Sequence, residues 1–186
     1  MKTKHLLIAV LGTVALAALA TGVAISAQDR YTVKVPGGLG FAEFKGYDTW
    51  QTINVSHNGD KLAVILGNPA MIAAFKAGIP ENGKPFPDGA KMAKIHWEAT
   101  KKLATPGQPF AGGTLHDVDF MVKDSKRFAD GGGWGYGAFR YDPATDSFHP
   151  ADTSDQPPQA NDAKCGAACH TVVKARDYVF TEFPKR

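Results

Sequence analysis

Lys91-Met92-Ala93-Lys94-Ile95-His96-Trp97-Glu98 is the stretch on which the fold turns. Met92, Lys94, His96 and Glu98 fall on one side of an extended chain, and Ala93, Ile95 and Trp97 on the other. A period of two over eight residues predicts a strand with two different faces, because successive Cβ atoms point to opposite sides. Neighbouring segments read the same way. Trp50 to Val55 and Lys61 to Leu66 are short, β-branched runs, with His57-Asn58-Gly59-Asp60 as the turn between them. Val118, Phe120 and Val122 alternate within about Leu115 to Val122, and Trp134 to Tyr141 carries Trp134, Tyr136 and Phe139. Tyr178 to Phe183 alternates once more.

Helical signals are fewer. Pro69 to Ala77 has Pro in its first turn, an apolar stripe of Met71, Ile72 and Phe75, and Gly78 as a stop. Ser125 to Ala129 reads as a turn or short helix. Loops are expected over Ile79 to Gly89, Thr105 to Gly113 and the Pro-, Asp- and Ser-rich residues 142–164, while residues 28–48 form a Gly-rich entry holding Phe41, Phe44 and Tyr47. The sum is an α+β, mostly β fold: an antiparallel β-sheet with a few short helices.

The chain has 186 residues, suited to one domain over residues 28–186. Hydrophobic residues make up 44% and charged residues 21%, an ordinary globular balance. With a formal charge of +3 and no basic stripe or Arg cluster, nucleic-acid binding has little support. Residues 1–27 read as a signal peptide. Lys2 and Lys4 form a positive start, Leu6 to about Ile25 an uncharged apolar run, and Ala24-Ile25-Ser26-Ala27 a small-residue cleavage site. The competing reading is an uncleaved membrane anchor, which the many Ala and Gly residues weaken. Both readings place the rest of the chain across a membrane, in a periplasmic type of compartment.

The chemistry is concentrated in Lys164-Cys165-Gly166-Ala167-Ala168-Cys169-His170-Thr171, which holds both cysteines of the chain. Two thiols a short arc apart can each add to a haem vinyl group, and a His directly after the second Cys can reach the iron from the same side. Gly166, Ala167 and Ala168 are small enough to let the backbone pass a porphyrin edge. Three residues separate the cysteines, where the usual motif has two. A local disulfide is the competing reading for an exported chain, and a zinc site would need further ligands. The haem reading is one covalently attached haem c per chain, held by Cys165 and Cys169 with His170 on the iron. Sixteen residues follow His170, none of them Met or His, so a sixth ligand must come from upstream. Met71, Met92, Met121, His57, His96, His116 and His149 are the choices. Each is more readily a core Met or a surface His, which favours an open sixth site suited to a small ligand.

The order of several further motifs extends the argument. Tyr47-Asp48-Thr49-Trp50, Asn68-Pro69, Pro87-Asp88-Gly89 leading to Lys94, Val122-Lys123-Asp124-Ser125-Lys126-Arg127-Phe128-Ala129 with Gly133-Trp134, and Cys169-His170 followed by Asp177-Tyr178-Val179-Phe180-Thr181-Glu182-Phe183 resemble the cytochrome P-460 and cytochrome c′-beta family. The resemblance implies a mostly antiparallel β fold, usually dimeric, with a five-coordinate c-type haem and an electron-transfer partner protein. P-460 members oxidise hydroxylamine and carry a lysine bonded to the porphyrin. The c′-beta members lack that bond and bind nitric oxide or carbon monoxide in an apolar pocket. Lys94 stands where the cross-linking lysine would be. Such a lysine must first lose its proton, which desolvation near a haem encourages, and the competing reading is a solvated strand lysine like Lys91. Leu62-Ala63-Val64 is apolar where active members place an arginine, and Phe41, Phe44 and Trp50 are candidates for the distal wall, with core packing as their commoner use. The expected work is haem redox chemistry on a small nitrogen species, hydroxylamine or nitric oxide, with gas binding or electron transfer as the alternative.

Overall fold

Six antiparallel strands follow one another in a meander: β1 (Gln51–Asn58), β2 (Lys61–Gly67), β3 (Lys91–Thr100), β4 (Ala111–Lys123), β5 (Trp134–Asp142) and β6 (Ser147–Pro150), in the spatial order of the sequence. The computed structural model describes residues 28–35, 38–100, 103–151 and 163–186, with the side chains of residues 163–165 and 167 excepted. The leader read over residues 1–27 and the middle of the loop read over residues 142–164 lie outside the described residues. Among those described, no helix is long and apolar enough to cross a membrane.

The alternation in Lys91 to Glu98 becomes a sheet with two unlike faces. On one, Ala93, Ile95, Val118, Phe120 and Phe139 are buried under the N-terminal segment, whose short 3-10 turns bring down Phe41, Phe44 and Tyr47. Phe44 stacks on Phe120 with ring centroids 4.1 Å apart, and Phe41 meets Phe120 and Phe139 edge-on at 5.1 and 5.0 Å. Aromatic pairs of this kind contribute about 0.5–1.5 kcal/mol each beyond their area burial. On the other face, Ile65, Met92, Trp134 and Tyr136 pack with helix α1 (Pro69–Lys76), the loop residue Phe86 and the tail residue Val179.

Helix α1 starts where the sequence predicts. The Asn68 carboxamide accepts from the backbone N–H groups of Met71 and Lys91, each at 3.0 Å, and donates to the Gly89 carbonyl at 2.8 Å. One side chain therefore caps the helix and locks its start to the first residue of β3.

The structure corrects the sequence reading in three places. β4 begins at Ala111, inside the stretch read as a loop, and β6 lies inside the Pro-rich loop. Each is a ladder made by a neighbouring strand, not by a strong local pattern. Tyr178 to Phe183 alternates in sequence and forms no strand: Asp177 and Tyr178 take left-handed φ angles of 48° and 64°, which turn the tail across the face of the sheet.

Candidate functional site

Helix α2 (Ala163–His170) carries the Cys165–His170 motif and packs on β5. Gly166 is what lets it come so close. A Cβ built there would lie 2.0 Å from Cγ of Tyr136, so only glycine fits against that ring. The small residue expected to serve the porphyrin edge thus already serves the docking of the helix. Cys169 is an exposed, free cysteine, and Cys165 lies four residues earlier on the same helix, its side chain outside the described set.

His170 ends α2 half-buried, with its ring 4.6 Å from that of Tyr136 and 4.8 Å from that of Phe180. Its Nδ1–H donates to the Tyr178 carbonyl at 2.7 Å. That bond fixes the tautomer and leaves the Nε2 lone pair free, the usual arrangement behind a metal-binding imidazole. Burial lowers the imidazole pKa, the Tyr178 carbonyl opposes this, and the Lys94 charge lowers it further. The ring is thereby kept in the neutral, ligating form.

The carbonyl that orients His170 is itself held by buried charge. Lys123 Nζ donates to Asp177 Oδ1 at 2.7 Å and to the Gly132 carbonyl at 3.0 Å, while Asp177 Oδ2 accepts from the Phe86 N–H at 2.7 Å. Both side chains are nearly excluded from solvent. They pin the left-handed turn at Asp177 and Tyr178.

His170 and Lys94 line the same cavity, of about 310 Å³. Met92 and Lys94 of β3, Asp119 and Met121 of β4 and Tyr136 of β5 form its floor, and His170, Val179 and Phe180 form a wall. A mostly apolar cavity with a few converging polar groups is the common form of a cofactor site. Asp119 is the Cα partner of Lys94 across the ladder. Burial first, and then the charge of Asp117, push its carboxyl up to about 6, against the opposing charges of His96, Lys94 and His116. Asp117 moves the other way. Burial works to raise its pKa, but hydrogen bonds and charge from His96 and His116 outweigh this and lower it.

Met92 and Met121 are the sixth-ligand candidates that reach this cavity. Met71 is sealed in the core, and His57 rests against Phe110. His96 and His116 are hydrogen-bonded to Asp117, and His149 Nδ1 meets the Pro150 carbonyl. Phe41 and Phe44 belong to the core on the opposite face of the sheet, with Trp50 packed against it. None of the three is among the residues lining the cavity. Its charged strand residues are instead Lys94 of β3 and Asp119 of β4. Asp119 escaped notice in the sequence because a single acid in a strand carries no signal until its cross-strand partner is known. Tyr136 was read only as a residue of the Trp134 to Tyr141 strand.

The residues fit a haem. The donor set pairs a thiol and an oriented imidazole with apolar walls, and the buried Tyr136 hydroxyl on the cavity wall finds no hydrogen-bond partner among the described residues. No curated protein matches the chain. Residues 44–181, however, match the Cytochrome P460 family model, a span that includes the whole sheet, both helices and the cavity. The chain belongs to the cytochrome P460 family, and haem is the cofactor that this membership implies.

Proposed function

We propose that this protein is an exported cytochrome with one c-type haem bound through Cys165 and Cys169, with His170 as its axial ligand. Its proposed work is redox chemistry on a small nitrogen species, hydroxylamine or nitric oxide. The observation that carries this reading is the meeting of His170, Lys94 and Asp119 in one largely apolar cavity.

The haem, when bound, supplies an iron centre that takes up and passes on electrons. The rest is done by the chain. Tyr178 orients His170 and raises its basicity through the Nδ1–H bond, which tunes the metal. Ile65, Met92, Val179 and Phe180 limit water. Asp119, raised to about 6, exchanges a proton close to neutral pH at the cavity edge, beside the Lys94 amine. We assign to Lys94, which lines the same cavity, the covalent bond that a P-460 haem would carry. These polar groups favour turnover over passive gas binding. An electron-transfer protein is the proposed partner.

Two measurements test the reading. Denatured protein extracted with acidified acetone keeps its colour, and Cys165→Ala with Cys169→Ala releases it. An intact mass lacking haem ends the proposal. The ferrous spectrum of a cross-linked protein is red-shifted, and Lys94→Ala returns it to that of ordinary haem c with haem retained. Identical spectra for wild type and Lys94→Ala would leave gas binding as the function.

A further inference from the structure

Beside the haem cavity, the register of β3 and β4 collects a second set of metal-binding side chains. His96 is opposite Asp117, and Lys94 opposite Asp119. The ladder then slips, with Trp97 opposite Leu115, so that His116 is an extra residue on β4. A bulge of this kind re-aims a side chain and is common next to functional sites. Its effect here is that His116 and Asp117, adjacent in sequence, both line one small cavity of about 180 Å³ together with His96 and Lys94.

His96 Nδ1 is hydrogen-bonded to Asp117 Oδ1 and lies 3.8 Å from Asp119 Oδ2, while His116 Nδ1 is 2.6 Å from Asp117 Oδ2. One donor atom from each of His96, Asp117 and Asp119 lies within 4.8 Å of the others. We infer that His96, Asp117 and Asp119, with His116 as fourth donor, form a binding site for a divalent transition-metal ion of the zinc class.

Two imidazoles and two carboxylates are a donor set suited to such ions. Tetrahedral ligands about 2.1 Å from an ion stand roughly 3.4 Å apart, close to the His96–Asp119 separation. Strands hold the donors, so little ordering is needed. On binding, the Nδ1–H bonds to Asp117 give way to metal bonds, and each imidazole carries its proton on Nε2. Two cations face the cluster. Lys61 is engaged by Glu98 at 2.8 Å and Asp60 at 3.4 Å, which leaves Lys94 as the opposing charge. The site shares Asp119 and Lys94 with the cavity of the proposed haem, so zinc is scored separately from iron in its test.

The test uses the haem-loaded protein, stripped with a chelator and titrated with Zn²⁺ by calorimetry, with elemental analysis after dialysis. One zinc per chain is expected in addition to iron. His96→Gln and Asp119→Asn each weaken binding by at least about tenfold. His149→Gln leaves it unchanged. Should His96→Gln fail to fold, Asp119→Asn, on a partly exposed side chain, carries the test. Less than one equivalent of zinc, or affinity unaffected by both substitutions in folded protein, overturns the inference. So does binding that disappears in Cys169→Ser.

Discussion

Lys123→Met isolates the buried charge that positions His170. Methionine keeps an apolar stem beside Trp134, above whose ring Lys123 Nζ lies at 5.2 Å, and removes only the ammonium. Asp177 is then left with the Phe86 N–H as its partner, in a place where its side chain is 12% exposed. Stranding one member of a buried pair costs about 3–5 kcal/mol. For a domain of this size, about 3 kcal/mol corresponds to a fall in Tm of roughly 6–12 °C. Asp177→Asn strands Lys123 instead, and the double variant strands neither. A double-mutant cycle in urea should therefore show the double variant recovering well over half of the summed loss. The ferrous iron–histidine stretch, read by resonance Raman, gives a second and independent measure. A loosened turn withdraws the Tyr178 carbonyl from His170, which weakens the ligand and lowers that frequency. Losses below about 1 kcal/mol in both single variants, or strict additivity in the double, would refute the coupling of this ion pair to His170.

Other outcomes follow from the same geometry. Gly166→Ala normally favours a helix by about 1 kcal/mol, yet its Cβ would lie 2.0 Å from the Tyr136 ring. A net loss of about 1–3 kcal/mol and a lower yield of haem-loaded protein are expected, read by thermal melting and by the haem-to-protein absorbance ratio. Asp119 holds its proton more tightly when folded, at about 6 against an ordinary 3.8. Its contribution to stability is therefore present below about pH 4 and lost as pH rises toward 6. The carboxylate is 44% exposed, so solvent screening reduces the effect to about 1 kcal/mol. Asp119→Asn in chelator-treated protein should remove that slope from urea midpoints taken between pH 4 and 7, and an unchanged slope would assign it elsewhere. The ferrous haem should be high-spin and bind nitric oxide readily; a low-spin spectrum in both oxidation states would identify Met92 or Met121 as a sixth ligand.

Much of the sheet was legible in the sequence because its strands carry their own evidence. The alternation put Lys94 on one face with Met92 and His96 before any partner strand was known, and Lys94 does share a cavity with each of them. The Pro69 helix was equally local, since a first-turn proline, an apolar stripe and a glycine stop are all read within ten residues. β6 was not legible. Four residues among prolines and aspartates become a strand only because β5 offers unpaired backbone groups. The tail misled for the opposite reason, as its alternation is real but two left-handed residues carry it away from any ladder.

By itself the sequence determined what is local: the Cys165, Cys169 and His170 spacing, the period of two, the helix stop at Gly78 and the turns. Tertiary structure alone decided which distant groups share a cavity. Asp119 stands beside Lys94, Tyr178 orients His170 from eight residues away, Lys123 reaches Asp177 across 54 residues, and a one-residue bulge brings His116 and Asp117 into one small cavity with His96. None of these has a signature in linear order. Cross-strand register and chain reversal set them, and both are chosen by the burial of the whole sheet, where a slip of one residue would exchange its two faces.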